Sequence, residues 1–296
     1  MPFESERPVE RLDTRPAFHS LTVIAASGCT VRRGYNVLDS NFKDDKFPFQ
    51  IADGGLEPSE RASEGRDLSR SKGIVQSRKH AIMHAMKTIV IMNQKGGAGK
   101  TTLAVHIATA AYRAGYPAAI LDMDQQGTAE AWHGWREKTA GEKEPAVFPA
   151  KIPTLESWLK RVKDAGAALT VIDTAPLAQG EAIAAAKVSD LILSPCRPAS
   201  FDLHAIKLTA DLASHTGKPA FAIFNGGPPR KATIYDDSAK VLASYGLDLA
   251  PVRLSERVVF KQAVGSGQTA QEIEPEGKAA AEVAALWSWL QQVLKI

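Results

Sequence analysis

The sequence is short of several things, and each shortage narrows what the chain can be. It has two cysteines in 296 residues, Cys29 and Cys196, which is no basis for a disulfide framework or a thiolate metal site. The expected setting is therefore reducing and cytoplasmic. No apolar run approaches the roughly 20 residues that cross a bilayer, and no apolar segment of signal-peptide kind opens the chain. Neither sign of charge is in excess: 36 Lys and Arg against 33 Asp and Glu leave a formal net charge of +3. A balance that small excludes a generally polybasic chain, so any contact with nucleic acid has to come from a local patch. The histidines are scattered. His80 and His84 lie in a polar segment without acidic or thiol neighbours and read as solvated, not as ligands.

What is present divides the chain in two. Residues 1–85 are rich in Arg, Ser, Glu and Asp, interrupted by short apolar pieces such as Leu21–Ala26, and Glu57–Arg70 reads as a solvated linker. They are expected to form a disordered or irregular extension. Residues 86–296 alternate strand-like apolar runs with runs of helical spacing, the signature of βαβ units. The expected strands are Thr88–Met92, Ala118–Asp122, Leu169–Asp173, Leu191–Ser194, Ala220–Phe224 and Leu249–Val252. The expected helices are Lys100–Ala114, Leu155–Ala165, Ala182–Val188, Leu203–Thr216, Tyr235–Tyr245 and Pro275–Leu294, with Gly115 and Gly217 as C-caps. This predicts a doubly wound α/β domain with a mainly parallel sheet, helices on both faces and a ligand crevice at the strands' carboxyl ends.

One more absence is the most informative. Lys95-Gly96-Gly97-Ala98-Gly99-Lys100-Thr101-Thr102 follows the first strand and opens the first helix. Glycines in that position turn successive backbone N–H groups into one concavity, and the helix N-terminus adds partial positive charge, so the loop is a phosphate cradle. Lys100 would reach the β- and γ-phosphates and the Thr101 hydroxyl would hold Mg²⁺. The ordinary phosphate-loop pattern asks for a glycine where Gln94 stands, and the next residue is a second lysine, Lys95. Downstream, Asp122 and Asp124 close the second expected strand, and period two would aim both at the crevice. Paired carboxylates beside a bound Mg·triphosphate can fix the metal's shell and orient the attacking water. The third expected strand ends in Asp173-Thr174-Ala175-Pro176, a buried strand presenting an acid to the metal.

The double-lysine loop, Asp122-x-Asp124-x-Gln126-Gly127 and Asp173-Thr174-Ala175-Pro176 resemble the ParA/MinD family of deviant-Walker ATPases, and above all short ParA-type partition proteins. The stretch from Arg257-Val258-Val259-Phe260 to Glu282 resembles the end of those proteins, and the resemblance covers residues 86–296. It implies an ATP-bound sandwich dimer in which Lys95 crosses to the partner's nucleotide. Lys100 would serve its own nucleotide, Thr101 the Mg²⁺, and Thr102 the α-phosphate. Asp124 would orient water, Asp122 and Asp173 would belong to the Mg²⁺ shell, and Asn225 would face the adenine. It further implies weak, partner-stimulated ATP hydrolysis and nonspecific DNA binding by the dimer, with Arg253, Arg257 and Lys261 as candidates and Arg230 and Lys231 nearby. The protein would then segregate or position a DNA element in the nucleoid-bearing cytoplasm. Two alternatives stay open: a conjugation complex or other protein cargo, and a membrane-surface role of MinD type. The latter would use a basic amphipathic terminal helix, whereas Val283–Leu294 has apolar residues at helical spacing and only Lys295 as a base. The family's usual proline before the glutamine is here Gln125.

Overall fold

Strand runs that are apolar on both faces can be buried only in a sheet covered by helices on each side. The computed structural model describes residues 85–296 apart from 177, 178 and 231. It places seven strands in one sheet: β1 Lys87–Ile91, β2 Ala118–Asp122, β3 Ala146–Pro149, β4 Leu169–Asp173, β5 Leu191–Cys196, β6 Ala220–Gly227 and β7 Asp248–Ser255. Their order is β3-β2-β4-β1-β5-β6-β7, and every pairing is parallel. The helices are α1 Lys100–Arg113, α2 Thr128–Ala140, α3 Leu155–Asp164, α4 Gln179–Val188, α5 Ser200–Thr216, α6 Ala232–Ser244, α7 Val258–Gly265, α8 Ala270–Ile273 and α9 Lys278–Leu294. This is the doubly wound fold that the alternation predicts. The expectations for residues 1–84, with Cys29, His80 and His84, fall outside the described residues.

Period two sorts the strand side chains between two cores. Ile89, Ile91, Ile120 and Val171 pack with Leu103, Val105 and Ile107 of α1 and with α9. Val90, Ala119, Leu121 and Ile172 pack on the other face with Leu155 and Val162 of α3 and Ala185 of α4. A third cluster joins Leu203 and Ile206 of α5, Phe224 of β6, and Tyr235 and Leu242 of α6. The terminal helix α9 turns Val283, Leu286, Leu290 and Leu294 inward, all buried. Its apolar face is therefore spent on the core. No helix among the described residues is long and apolar enough to cross a membrane.

Four elements escape the sequence pattern: β3, α2, α7 and α8. β3 is a four-residue edge strand that ends at Pro149. On α2 the buried residues are Ala129, Trp132 and Arg136, and one of these three is a base, so no apolar stripe is visible. Arg136 is only 1 % exposed. It donates to the carbonyls of Glu144 at 2.7 Å and Gly267 at 3.2 Å and makes a two-pronged pair with Glu272 at 2.7 and 2.9 Å, with Glu142 as a further partner. Beside it, the Trp132 indole N–H donates to the Gln268 carbonyl at 3.0 Å. α2 is thus held by polar contacts to the turn between α7 and α8.

His106 is a second buried node. Its Nδ1–H donates to the Thr102 carbonyl at 2.7 Å, and its Nε2 accepts the Ala270 N–H at 3.0 Å. An acceptor nitrogen means a neutral ring. Burial outweighs the pull of the Thr102 carbonyl and of Glu272, and the pKa falls to about 4. An unfolded histidine takes up its proton near 6.5, so this contribution to stability is complete above that pH and is lost as the pH falls from 6.5 to 4. The difference corresponds to about 3 kcal/mol. The stability advantage of wild type over His106→Phe should shrink by about that amount between pH 7 and pH 4 in denaturant titrations; a constant difference would show that the ring titrates normally.

Candidate functional site

Parallel register brings the acids together. Asp122 at the end of β2 is paired directly with Asp173 at the end of β4, and Asp173 in turn stands beside Ile91, after which β1 gives way to the glycine-rich loop. All three strand ends therefore open onto one crevice at the carboxyl edge of the sheet.

The loop runs from Met92 to Gly99 and enters α1 at Lys100. Gly97 and Gly99 take φ of +73° and +88°, a left-handed backbone that other residues adopt only with strain. A Cβ at Gly96 or Gly97 would meet nothing within 4 Å, so the concavity is open. The two lysines behave differently. Lys100 is buried, with Nζ 3.4 Å from the Lys95 carbonyl. Burial lowers its pKa, and the charges of Asp173 and Asp124 oppose that shift. Lys95 is exposed on the rim, its amide donating to Asn93 Oδ1 at 2.8 Å. Thr101 and Thr102 are half-buried in the first turn of α1.

The acids also divide their labour. β2 stops at Asp122, so Asp124 is placed by a turn and the period-two expectation does not apply to it. Asp122 Oδ1 accepts the Asp124 N–H at 3.0 Å, while Oδ2 accepts the N–H groups of Ala129 at 3.0 Å and Glu130 at 3.2 Å. Asp122 thus caps α2 from a distance and fixes the turn that carries Asp124. Burial raises its pKa, three N–H bonds oppose this, and Asp124 adds to it. Expected in the metal shell, Asp122 has its carboxylate occupied by backbone. Asp124 is half-exposed and accepts the Gln126 N–H at 2.9 Å.

Asp173 is the acid left over. It is 1 % exposed, and neither carboxylate oxygen has a well-formed hydrogen bond. Burial pushes its pKa to about 7; the nearby Thr101 hydroxyl and Lys100 resist, and Asp122 and Asp124 add to the rise. A buried acid with idle oxygens beside a threonine hydroxyl fits a hard cation with oxygen ligands. Among the described residues no group of three or more His, Cys, Asp or Glu could cage a metal. An ion here would share its coordination with phosphate oxygens, as Mg²⁺ does in nucleotide sites. Thr101 and Asp173 are the residues that would hold it.

On the other side of the loop lies an open cleft bounded by Gly97–Gly99, Thr102, Asn225, Ser255 and Phe260, with Arg197, Glu256, Arg257 and Lys261 at its walls. Asn225 lines it, and its Nδ2 donates to the Ala98 carbonyl at 2.9 Å. Of the candidate DNA-contacting residues, Arg257 is half-buried and bound to Glu282 at 2.6 Å. Arg253 is exposed over the Tyr235 ring at 4.2 Å. Lys261 is exposed, 3.5 Å from Glu256. Two of the expected trio thus have acidic partners, Arg257 with Glu282 and Lys261 with Glu256. Arg230 is exposed. Asn93, Arg197, Ser255 and Glu256 are residues of this site that lie outside the sequence reading. Asn93 follows directly on the apolar run Ile89–Met92, and that position was its only signal.

Comparison with known proteins gives this geometry its relatives. Protein IncC of Escherichia coli is 28% identical over 257 residues, covering 71% of each chain. Maintenance of carboxysome distribution protein A of Halothiobacillus neapolitanus is 23% identical over 201 residues, 66% of this chain and 91% of that one. Among solved structures, the MinD cell division protein of Aquifex aeolicus has a TM-score of 0.56 at 17% identity, covering 70% of this chain and 97% of its own. Apo McdA of Cyanothece has a TM-score of 0.56 at 18% identity, covering 69% and 99%. At those identities the structures testify to the fold. The sequence itself matches the CobQ/CobB/MinD/ParA nucleotide binding domain over residues 89–270, and the chain belongs to that family.

Proposed function

We propose that the protein is a dimerising ATPase that binds DNA nonspecifically in its ATP state and partitions or positions a DNA element. The observation that carries this reading is the contrast between two lysines in one loop. Lys100 is buried beside Asp173 and Asp124 and serves the phosphates of its own cradle. Lys95 stands exposed on the rim, where a long cation can reach a second chain's phosphates. A second cation supplied across an interface offsets charge developing at the γ-phosphate, as an arginine finger does. In this reading ATP and Mg²⁺ are held by Gly96–Thr102, Thr101 and Asp173, and Asn225 lies at the adenosine side. Asp124 orients water, Asp122 orders the turn behind it, and ADP and phosphate are released slowly unless a partner protein stimulates the step. Solved structures of similar fold are consistent with this: MinD of Pyrococcus horikoshii is complexed with Mg-ADP, and a McdA variant of Cyanothece with ATP.

DNA contact in this scheme falls to the exposed bases Arg253, Lys261 and Arg230, with Arg257 contributing from its half-buried position. Such contacts to phosphate backbone are sequence-independent and weaken steeply with salt. Random duplex DNA should be retained by the protein with ATP and Mg²⁺, released by ADP, and lost as salt rises from 50 to 200 mM. Retention indifferent to the nucleotide would sink the DNA reading.

A second reading has a specific observation behind it. The similarity to a carboxysome distribution protein favours a relative that positions a protein body with the same chemistry. ATP-dependent DNA binding is common to both; a cargo protein that co-purifies in an ATP-dependent way would separate them. The membrane-surface alternative is not favoured, because the apolar face of α9 is packed against the core.

A further inference from the structure

We infer that Asn93 and Asn225 are positioning residues that clamp the phosphate loop into its binding shape, one from just after β1 and the other from β6, with β5 between the two strands. The inference rests on the nucleotide-binding reading above and assigns Asn225 a task other than facing a base.

Each asparagine grips one end of the loop. Asn93 is 3 % exposed. Its Oδ1 accepts the Lys95 N–H at 2.8 Å, and its Nδ2 donates to the Pro195 carbonyl of β5 at 2.7 Å. It bolts the first residue of the cradle to the neighbouring strand. Asn225, near the end of β6, donates from Nδ2 to the Ala98 carbonyl at 2.9 Å. The contact depends on the absence of a side chain at the next residue: a Cβ on Gly99 would lie 2.1 Å from that Nδ2. Gly99 is therefore needed twice, for its φ of +88° and for the approach of Asn225.

The physical consequence concerns the loop's carbonyls. A phosphate cradle works only if its N–H groups point inward, which requires its carbonyls to point outward and find donors. Ala98 offers its carbonyl to Asn225, and Lys95 offers its own to Lys100. With both ends held, the N–H groups between them are arranged before ligand arrives, and the ordering cost of binding is reduced. Amides suit this work because one side chain carries a donor and an acceptor on adjacent atoms. A carboxylate could not donate to either carbonyl.

Inorganic tripolyphosphate separates this role from a base contact, because it has phosphates and no base. Asn225→Ala and Asn93→Ala should each weaken Mg²⁺·tripolyphosphate and Mg²⁺·ATP by the same factor, about 10-fold, the worth of one well-made hydrogen bond in such a setting. The thermal midpoint of the ligand-free protein serves as the control for folding. If either alanine variant does not fold, Asn225→Leu and Asn93→Leu keep a similar size without adding charge, remove the polar atoms, and should show the same parallel loss. Loss of ATP affinity with tripolyphosphate affinity intact would overturn the clamp and make Asn225 a base contact. Undiminished affinity for both ligands would overturn it too. Wild-type protein that binds neither ligand would overturn the nucleotide reading, and the clamp with it.

Discussion

Lys95→Ala is expected to bind Mg²⁺·ATP within a few-fold of wild type and to lose ATP hydrolysis by about 10³-fold or more. The split follows from where the two lysines stand. Lys100 is buried in its own site, and its charge is coupled to Asp173 and Asp124. Lys95 presents its side chain at the rim, while its backbone is fixed by Asn93 on the N–H and by Lys100 on the carbonyl. Removing the side chain leaves those two backbone contacts in place, so the cradle survives while the cation is lost. Lys100→Ala should behave oppositely, losing binding itself. A steady-state ATPase assay and a nucleotide titration on both variants read the difference. Hydrolysis by Lys95→Ala at the wild-type rate would remove the main support for a two-chain active site.

Arg136→Ala should destabilise the fold by about 3–5 kcal/mol, the usual cost of removing one partner from a buried ion pair. Burial alone pushes up the Glu272 carboxyl, yet Arg136 holds it below its usual range, with help from the N–H and hydroxyl of Thr269. Without the guanidinium, a carboxylate whose side chain is 9% exposed loses its principal partner, and the carbonyls of Glu144 and Gly267 lose their donor. The melting temperature should fall by roughly 10 °C for a domain of this size. Arg136→Lys keeps the charge but not the planar fork, and should recover only part of the loss. The surroundings leave little room for adjustment: a Cβ on Gly267 would lie 2.1 Å from the Arg136 amide nitrogen. A change below 1 kcal/mol for Arg136→Ala would mean that water or a neighbour replaces the guanidinium.

The two experiments probe opposite halves of what can be read from residues alone. Lys95, Lys100, Thr101, Asp122, Asp124 and Asp173 stand in short runs whose chemistry follows from local order: a strand, a loop or acid, then a helix. Two-faced apolar runs also determine a covered parallel sheet, because no other arrangement buries both faces, and the six expected strands are all found with ends shifted by at most three residues. Local pattern is sufficient there because the interactions that decide the structure lie within a few residues of one another or depend only on period.

Tertiary structure alone decides the rest, and in most cases the deciding partner is distant in sequence. Arg136 can occupy a core position on α2 only because Glu272 lies 136 residues on. His106 stays neutral because the Ala270 N–H, 164 residues away, occupies its acceptor. Asp122, expected in the Mg²⁺ shell, also caps α2, since a turn brings two amides seven and eight residues on onto its second oxygen. Arg257, expected as a candidate DNA contact, is held by Glu282. Asn225 reads as a turn or base contact, yet reaches 127 residues back to the phosphate loop. The sequence by itself determined a parallel α/β domain with a two-lysine phosphate loop and three acids at the strand ends. Which acid is left with idle oxygens for a cation, and what holds the loop in shape, depends on directional hydrogen bonds between distant residues that no local period encodes.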